Sequence, residues 1–191
     1  YEINIGDWSS DVCSSDLAVL LWGARQGLNL PGDFVECGCY RGISARIICD
    51  VLNFKQQEQR QYYLYDLFEH SEQETTHHAM PAHSSTLVNE VRQRFADMKN
   101  AQIIQGRVPD SLHDNMPEKI AFLHIDLNNV AAELGALELL FERLSPGGIM
   151  ILDDYGWQPY MQQRLQEEPW LQARGHYVLE LPTGQGMVIK H

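Results

Sequence analysis

The sequence predicts a three-layer α/β fold in which a mostly parallel, seven-stranded sheet lies between helices. Five β-type segments alternate with helical ones from residue 18 onward, which is typical of parallel strands joined by right-handed crossovers. Two further β-type segments close the chain as a hairpin, so the last strand is expected to run antiparallel. The composition stays uniform over the 191 residues, with no internal repeat, which favours one domain.

The first three strands and their helices follow from hydrophobic periodicity and turn residues. Apolar residues recur with helical spacing over 18–28, and Pro31-Gly32 separates this helix from a short β-type segment. A glycine-bounded turn opens the second helix, and a run of tyrosines favours the second strand. The predicted helices are 18–28, 43–54 and 86–99, and the predicted strands are 33–36, 62–66 and 102–105.

The second half of the chain continues the alternation. The helix at 131–144 is expected to stop at Ser145-Pro146-Gly147-Gly148, because proline and glycine interrupt helices. Residues 69–85 are polar and His-rich, and a loop of this length is usually a functional lid or disordered. The predicted strands are 120–125, 149–152, 177–181 and 187–190, and residues 158–174 are helical in part.

Composition excludes several classes of protein. Lys and Arg total 14 against 26 Asp and Glu, giving a net charge of -12, and an acidic surface disfavours nucleic acid as a partner. No apolar run is long enough for a membrane span, and the four cysteines form no Cys-x-x-Cys pair. We therefore expect a cytoplasmic protein with neither a membrane nor a nucleic-acid partner. A homo-oligomer is compatible with the sequence.

The first 17 residues are treated separately from the predicted domain. The string from Asp7 to Leu17, DWSSDVCSSDL, resembles the translation of a sequencing-library adapter, and the chain begins at Tyr1. We therefore predict that residues 1–17 are an artefact or disordered, that residues 18–191 form the domain, and that removing 1–17 costs little stability. The alternative is a genuine loop with a helix N-cap at Ser15 or Asp16.

The turn after the first strand is the first candidate site. It reads ECGCYRG, from Glu36 to Gly42, and opens a helix whose free backbone N–H groups can face a ligand. Gly38 has no side chain, so it permits a tight turn and the close approach of a ligand to the backbone. The pattern differs from the Gly-x-Gly-x-x-Gly of dinucleotide-binding folds. The second strand ends in Asp66, where an acidic residue accepts hydrogen bonds from ribose hydroxyls in doubly wound folds.

Three aspartates end the fourth and fifth strands. Asp126 follows one strand, and Asp153 and Asp154 follow the next. Because parallel strands end at one edge of the sheet, these carboxylates are expected to converge. Close anions repel each other unless they are protonated or bridged by a cation, which predicts a raised pKa for Asp126 and a site for Mg²⁺ or a similar ion. The alternative is that one or two of them cap helices.

From Pro31 to Lys190 the chain resembles the macrocin O-methyltransferase family of class I S-adenosylmethionine (SAM) methyltransferases. The resemblance depends on PGDFVECGCYRG, YLYDLFEH, VRQRF, GRVPDSL, IAFLHIDLNNV, RLSPGGIMILDDYGW and LPTGQGMVIK. It implies metal-assisted transfer of a methyl group from SAM to a hydroxyl of a small molecule, typically a sugar of a natural product. The implied metal ligands are Asp126, Asp153 and Asp154, with Asp126 and Asp153 catalytic, and the implied cofactor-binding residues are Glu36, Gly38, Tyr40, Gly42, Asp66, Gly106 and Asp126.

One departure from this family concerns the general base. Family members carry Asp or His two or three residues beyond the first metal aspartate, where this chain has Asn128 and Asn129. Neutral amides do not accept a proton from a hydroxyl near pH 7. Three alternatives follow: the general base lies elsewhere in the chain, the metal alone lowers the pKa of the acceptor hydroxyl enough, or the activity differs. His124 is expected in the core or behind the metal ligands. The histidines of the long loop are expected to be solvated, although one of them could close over the site and act as the base. These histidines are His70, His77, His78 and His83.

Two other functions stay open at this point. A catalytically weak protein that binds SAM or a metal is favoured by the two asparagines. A dinucleotide-dependent oxidoreductase is disfavoured by the absent glycine pattern. Tyr155 and Trp157 are expected to form an apolar wall for a substrate or cofactor.

Overall fold

The computed structural model describes residues 13–70 and 80–191, and it confirms the predicted architecture. Within these residues the sheet has seven strands in the order β3-β2-β1-β4-β5-β7-β6. β7 runs antiparallel to both of its neighbours, and the other pairs are parallel. The strands are β1 (Asp33–Cys37), β2 (Tyr62–Asp66), β3 (Ala101–Gln105), β4 (Ile120–Ile125), β5 (Leu144–Leu152), β6 (Leu179–Glu180) and β7 (Gly186–Ile189).

Helices cover both faces of the sheet. Buried residues of the first three helices pack with Phe34 and Phe122 on one face, whereas the last two helices pack with Leu123 and Met150 on the other. All six residues of β4 are buried, as expected for a central parallel strand covered on both sides. The helices are α1 (Ser14–Gly27), α2 (Ile43–Val51), α3 (Leu87–Arg94), α4 (Val130–Leu140) and α5 (Met161–Gln172).

The start of α1 differs from the prediction. The helix begins at Ser14. Residues 14–17, which belong to the segment predicted to be an artefact or disordered, therefore form its first turn. The Leu17 backbone N–H donates to the Cys13 carbonyl (3.0 Å), and the Leu17 side chain is buried. Residues 1–12, which hold most of the adapter-like string, lie outside the described residues.

The start of β5 is the main correction to the predicted elements. α4 ends at Leu140, and β5 already begins at Leu144, which was predicted as the last residue of the helix, and runs through the residues that were expected to separate the helix from the strand. Leu144 pairs with Ile120, and the register then shifts before Ile149 pairs with Phe122. The intervening Pro146 and Gly147 are exposed, so they interrupt the ladder as a bulge and do not end the strand. None of the helices in the described ranges has the length and apolarity needed to cross a membrane.

Candidate functional site

The carboxyl ends of β1, β4 and β5 form the floor of the candidate site. The Asp126 N–H donates to the Cys37 carbonyl (2.8 Å), and the Asp153 N–H donates to the Ile125 carbonyl (3.0 Å). These bonds extend the parallel ladders by one residue beyond each strand. Asp126 therefore sits between the end of β1 and Asp153, as the strand order requires.

The structure brings the three aspartates together. One carboxylate oxygen from each of Asp126, Asp153 and Asp154 lies within 4.8 Å of the others, and all three residues are partly buried. Asp153 still belongs to the strand ladder, whereas the Asp154 carbonyl accepts from the Trp157 N–H (3.1 Å) in the turn that follows. This turn is what allows two consecutive residues to face one point, since a straight strand would direct them to opposite faces.

The protonation of the three carboxyl groups reflects their crowding. Burial, and next the charge of Asp153, raise the pKa of Asp126 well above its usual value. The direction agrees with the prediction, but burial and not like charge is the larger cause. Burial and Asp153 also raise the pKa of Asp154 to about 6. Burial alone would raise the pKa of Asp153, but its interactions with His124 and Gln185 outweigh burial and lower it.

A buried polar chain connects the core to Asp153. The Glu36 carboxylate accepts from the Ser44 hydroxyl (3.1 Å) and the Tyr62 hydroxyl (3.2 Å), and it lies 3.2 Å from His124 Nδ1. On the other side of the ring, His124 Nε2 lies 3.7 Å from Asp153 Oδ1, longer than a direct hydrogen bond. Burial alone would lower the pKa of His124, but Asp153 and Glu36 raise it to about 10.

Glu36, a predicted cofactor-binding residue, is anchored within this polar chain. Its side chain is almost fully buried and is held by three protein partners. His124 thus lies between Glu36 and Asp153. The expectation that His124 lies in the core agrees with its burial.

A cavity adjoins the aspartates on the side of β1 and β2. Its volume is about 760 Å³ when the space open to solvent is included. The Asp66 carboxylate at its wall accepts from the Tyr40 N–H (2.6 Å) and the Phe68 N–H (2.6 Å), and burial raises the pKa of Asp66. The cavity is lined by predicted cofactor residues together with loop histidines, among them Gly38, Tyr40, Asp66, His70, His83, Gly106, Asp126 and Asn128.

A second cavity lies on the α1 and α2 side of the same residues. Gly38, Tyr40 and Asp126 line both cavities, so the two spaces meet at the turn after β1. His124 and Asp153 also line the second one. Glu36 also lines this cavity. Gly42 lines neither of the two cavities; it directly precedes α2, with a left-handed backbone of φ +65°.

Gly38 is required by the protein chain itself. Its φ is +91°, and a Cβ atom there would lie 1.7 Å from the Asp126 carbonyl oxygen. The close approach inferred from the sequence is therefore real, but the approaching group is the backbone of the neighbouring strand end. A substitution at this position would disturb Asp126 before it tested any ligand.

A family model described as macrocin-O-methyltransferase (TylF) matches residues 25–168. The chain belongs to the macrocin O-methyltransferase family. It is 30% identical over 140 residues to an enzyme of Streptomyces olivaceus, 8-demethyl-8-(2,3-dimethoxy-alpha-L-rhamnosyl)-tetracenomycin-C 4'-O-methyltransferase. The match covers 66% of this chain and 54% of that protein, so the chain spans about half of its relative's length.

Solved structures share the fold of this family member. The O-methyltransferase NovP superposes with a TM-score of 0.72 at 21% identity, covering 92% of this chain and 79% of that one. CalS11, a calicheamicin methyltransferase, gives a TM-score of 0.73 at 16% identity over 92% and 78% of the two chains. At these identities the likeness shows the class I methyltransferase fold.

The two asparagines that follow Asp126 in this member of the macrocin O-methyltransferase family have structural partners. Asn128 Nδ2 donates to Asp126 Oδ1 (3.0 Å), and the Asn129 side chain accepts from the Ala132 N–H (3.0 Å) as the N-cap of α4. Asn128 has a left-handed backbone, with φ +53°. Asn128 thus orients Asp126, and Asn129 starts the helix.

Sequence reasoning missed a second buried polar group beneath this turn. Glu133 Oε1 accepts from the N–H groups of Leu127 (3.2 Å) and Asn128 (3.0 Å) and from Gln163 Nε2 (2.8 Å). Glu167 is also buried, and burial and the proximity of the two carboxyl groups raise the pKa of Glu133. The available signal was a glutamate within the apolar helix α4 and a Gln and a Glu four residues apart in α5.

Tyr155 and Trp157, the two residues of the predicted apolar wall, differ in exposure. Tyr155 is buried against Gly186, where a Cβ would lie 2.8 Å from the ring. Trp157 is 56% exposed. Gln185, which was not predicted to contact the site, donates from Nε2 to Asp153 Oδ1 (2.9 Å). Of the loop histidines, His70 and His83 line the first cavity, and His77 and His78 lie outside the described residues.

Proposed function

We propose that the protein is a SAM-dependent O-methyltransferase that acts on a hydroxyl of a sugar-containing small molecule with the assistance of a divalent cation. The observation that carries this proposal is one contact region. The cavity that holds Asp66 meets the second cavity at Gly38 and Asp126, and Asp126 is also one of the three clustered carboxylates. Membership of the macrocin O-methyltransferase family supports the same reaction.

The two cavities suit the two ends of SAM. Asp66 keeps lone pairs for ribose hydroxyls, because each of its oxygens accepts one described backbone N–H and a carboxylate oxygen can accept more than one. Gly106 lies at the same wall and suits the adenosine side. Tyr40 borders both cavities and is held by its hydroxyl, which accepts from the Ala82 N–H (2.8 Å). The chain would orient the methyl donor between these walls, and orientation is a large part of such catalysis.

The three aspartates fit a hard divalent cation. Their oxygens are close enough to share one ion after small adjustments, and the raised pKa of Asp126 and that of Asp154 indicate carboxyl groups that would ionise fully when a cation neutralises them. Asn128 orients Asp126, and His124 and Gln185 orient Asp153. A bound divalent ion would supply Lewis acidity that lowers the pKa of an acceptor hydroxyl.

The acceptor's proton has no base at the usual position. Asn128 and Asn129 are neutral, and both are engaged in holding the turn. We therefore infer that the reaction depends more on the carboxylate cluster than it does in family members with Asp or His there. The role of the chain is to hold Asp126, Asp153 and Asp154 at one point and to present the acceptor next to the methyl donor.

The acceptor class is inferred from relatives. The Streptomyces olivaceus enzyme is named for a rhamnosyl tetracenomycin, and CalS11 is also described as a TDP-rhamnose methyltransferase. We extend this to a sugar hydroxyl in the present protein. The net charge of -12 disfavours nucleic acid, and four free cysteines suit a reducing compartment such as the cytoplasm.

The first experiment tests cofactor and metal together. Isothermal titration should show binding of S-adenosylhomocysteine (SAH) and no binding of NAD. Methyl transfer to a rhamnoside should vanish with EDTA, return with Mg²⁺, and fail in Asp126→Asn, whereas the exposed Asp114→Asn is the matched control and should behave like wild type.

Each of the other outcomes has a definite reading. Binding of SAH without methyl release from any acceptor would favour a catalytically weak SAM-binding protein. Undiminished transfer after chelation would show that the aspartates bind the acceptor directly or cap helices, and the metal would be withdrawn. Binding of NAD in place of SAH would favour an oxidoreductase.

A further inference from the structure

An exposed tryptophan stands next to the carboxylate cluster. Trp157 is 56% exposed, and its N–H donates to the carbonyl of Asp154 (3.1 Å). A lone exposed apolar side chain is common on protein surfaces and by itself indicates nothing. The position and the immobilisation of Trp157 distinguish it from such a residue.

The indole is held against a turn that a larger residue would block. A Cβ atom at Gly184 would lie 2.3 Å from Trp157 Nε1 and 2.4 Å from its Cδ1, and the Gly184 φ of +92° also favours glycine. The Gly156 N–H donates to the Gly184 carbonyl (2.7 Å), which joins the two turns. One part of the indole is thus packed on backbone while more than half of the residue stays open to solvent.

Both turns are tied to the aspartates. The side chain of Gln185, next to Gly184, donates to Asp153 Oδ1 (2.9 Å), and the backbone N–H of Trp157 donates to the Asp154 carbonyl. The Tyr160 N–H donates to the Trp157 carbonyl (3.0 Å). The indole is therefore fixed on the turn that directly follows Asp154, against Gly184, whose neighbour Gln185 contacts Asp153.

We propose that Trp157 is the stacking platform for the acceptor's pyranose ring and determines specificity for sugars. A pyranose has a face of C–H groups that can cover an aromatic ring, while its hydroxyls at the ring edge can reach the carboxylates. The cluster alone would bind any hydroxylated molecule, so it cannot select a sugar. This inference rests on the proposed function, because it assumes that the acceptor hydroxyl meets the cluster.

The test uses tryptophan fluorescence of the full chain with SAH, Mg²⁺ and methyl α-L-rhamnopyranoside as the probe sugar. Adding the sugar should change the emission of the wild type. Trp157→Phe should lose most of that change, whereas Trp22→Phe, the matched control at a 47% exposed site on α1, should keep it. In the methyl-transfer assay, Trp157→Ala should raise KM for the sugar about tenfold, because the variant loses the free energy that stacking on an aromatic ring usually contributes. Trp157→Phe should raise KM less.

The outcomes separate this inference from the proposed function. Absence of SAH binding in the wild type would refute the proposed function itself. SAH binding and methyl transfer with an unchanged KM in Trp157→Ala would refute the platform and leave the methyltransferase in place. Transfer to catechol but not to the rhamnoside would refute the sugar class. Thermal melts and SAH affinity of each variant show whether the fold is retained.

Discussion

The buried carboxyl pair beneath the site yields a sharp prediction about stability. Glu133 holds the turn that carries Asp126 and Asn128, and Glu167 lies against it from α5. Glu133→Gln should leave the free energy of unfolding at pH 7 within about 1 kcal/mol of wild type. The reason is that Gln keeps an oxygen acceptor for the backbone donors and offers an N–H to Glu167, as a protonated carboxyl would.

Glu133→Leu should instead be strongly destabilising. It leaves the N–H groups of Leu127 and Asn128 without their acceptor in a buried place, at about 1–3 kcal/mol each, or about 2–6 kcal/mol together. For a domain of this size the melting temperature falls about 2–4 °C per kcal/mol, so we expect a loss of roughly 5–20 °C. The amide of Gln163 also loses its acceptor.

The pair also predicts how stability depends on pH. The pKa of Glu133 and that of Glu167 are both raised above the ordinary value of 4.5, so the folded state binds more protons than the unfolded state. Their contribution is therefore fully present below pH 4.5 and is lost as the pH rises through the folded pKa. Because Gln cannot lose a proton, the melting temperature of Glu133→Gln relative to wild type should increase from pH 5 to pH 8.

The assay is thermal unfolding by circular dichroism at pH 5, 7 and 8. The control is Glu138→Gln, an exposed glutamate on the same helix, which should show no such trend. Equal losses for Glu133→Gln and Glu133→Leu would refute a shared proton, since they would show that the negative charge itself is needed. A Glu133→Leu variant as stable as wild type would show that water or another group satisfies the two N–H groups.

Three shorter predictions concern the cofactor wall, the strand ends and the start of α1. Asp66→Ala should weaken SAH binding about tenfold to a hundredfold in isothermal titration, the worth of a charge-assisted hydrogen bond, and unchanged affinity would remove Asp66 from the site. Gly38→Ala should abolish soluble folded protein or lower the melting temperature by more than about 10 °C, because its Cβ would overlap a backbone carbonyl, and a normal melt would contradict this. A chain without residues 1–17 should melt at least about 5 °C below one without 1–12, because it loses the buried Leu17; equal melts would mean that the first turn of α1 is dispensable.

Much of the fold and the place of the site could be predicted from sequence, because they follow from backbone rules. Alternating β and α segments require parallel strands, and parallel strands end at one edge. Asp66, Asp126 and Asp153 each directly follow or end a strand, so their location at that edge needed no knowledge of side-chain packing. The same logic placed the terminal hairpin and the antiparallel last strand.

The roles of individual side chains could not be predicted in the same way. The glycine at position 38 indicated that some group approaches the backbone closely there. Whether that group is a ligand or the Asp126 carbonyl depends on how β1 and β4 lie beside each other. Likewise, the glutamate at position 36 was assigned to the cofactor because of its motif. Its partners within the protein, Tyr62 and His124, come from two neighbouring strands and could not be inferred from that motif.

The sequence by itself determined the α/β architecture, the carboxyl-edge site and the cluster of three aspartates, because each depends on strand order and on residues adjacent to strand ends. Tertiary structure alone decided the bulge in β5, the Glu133 support of the Asp126 turn and the seat of Trp157 on Gly184. These features depend on rotamers and on contacts between residues far apart in the chain. Hydrophobic period specifies which face of an element is buried, but it does not specify which distant side chain that face meets.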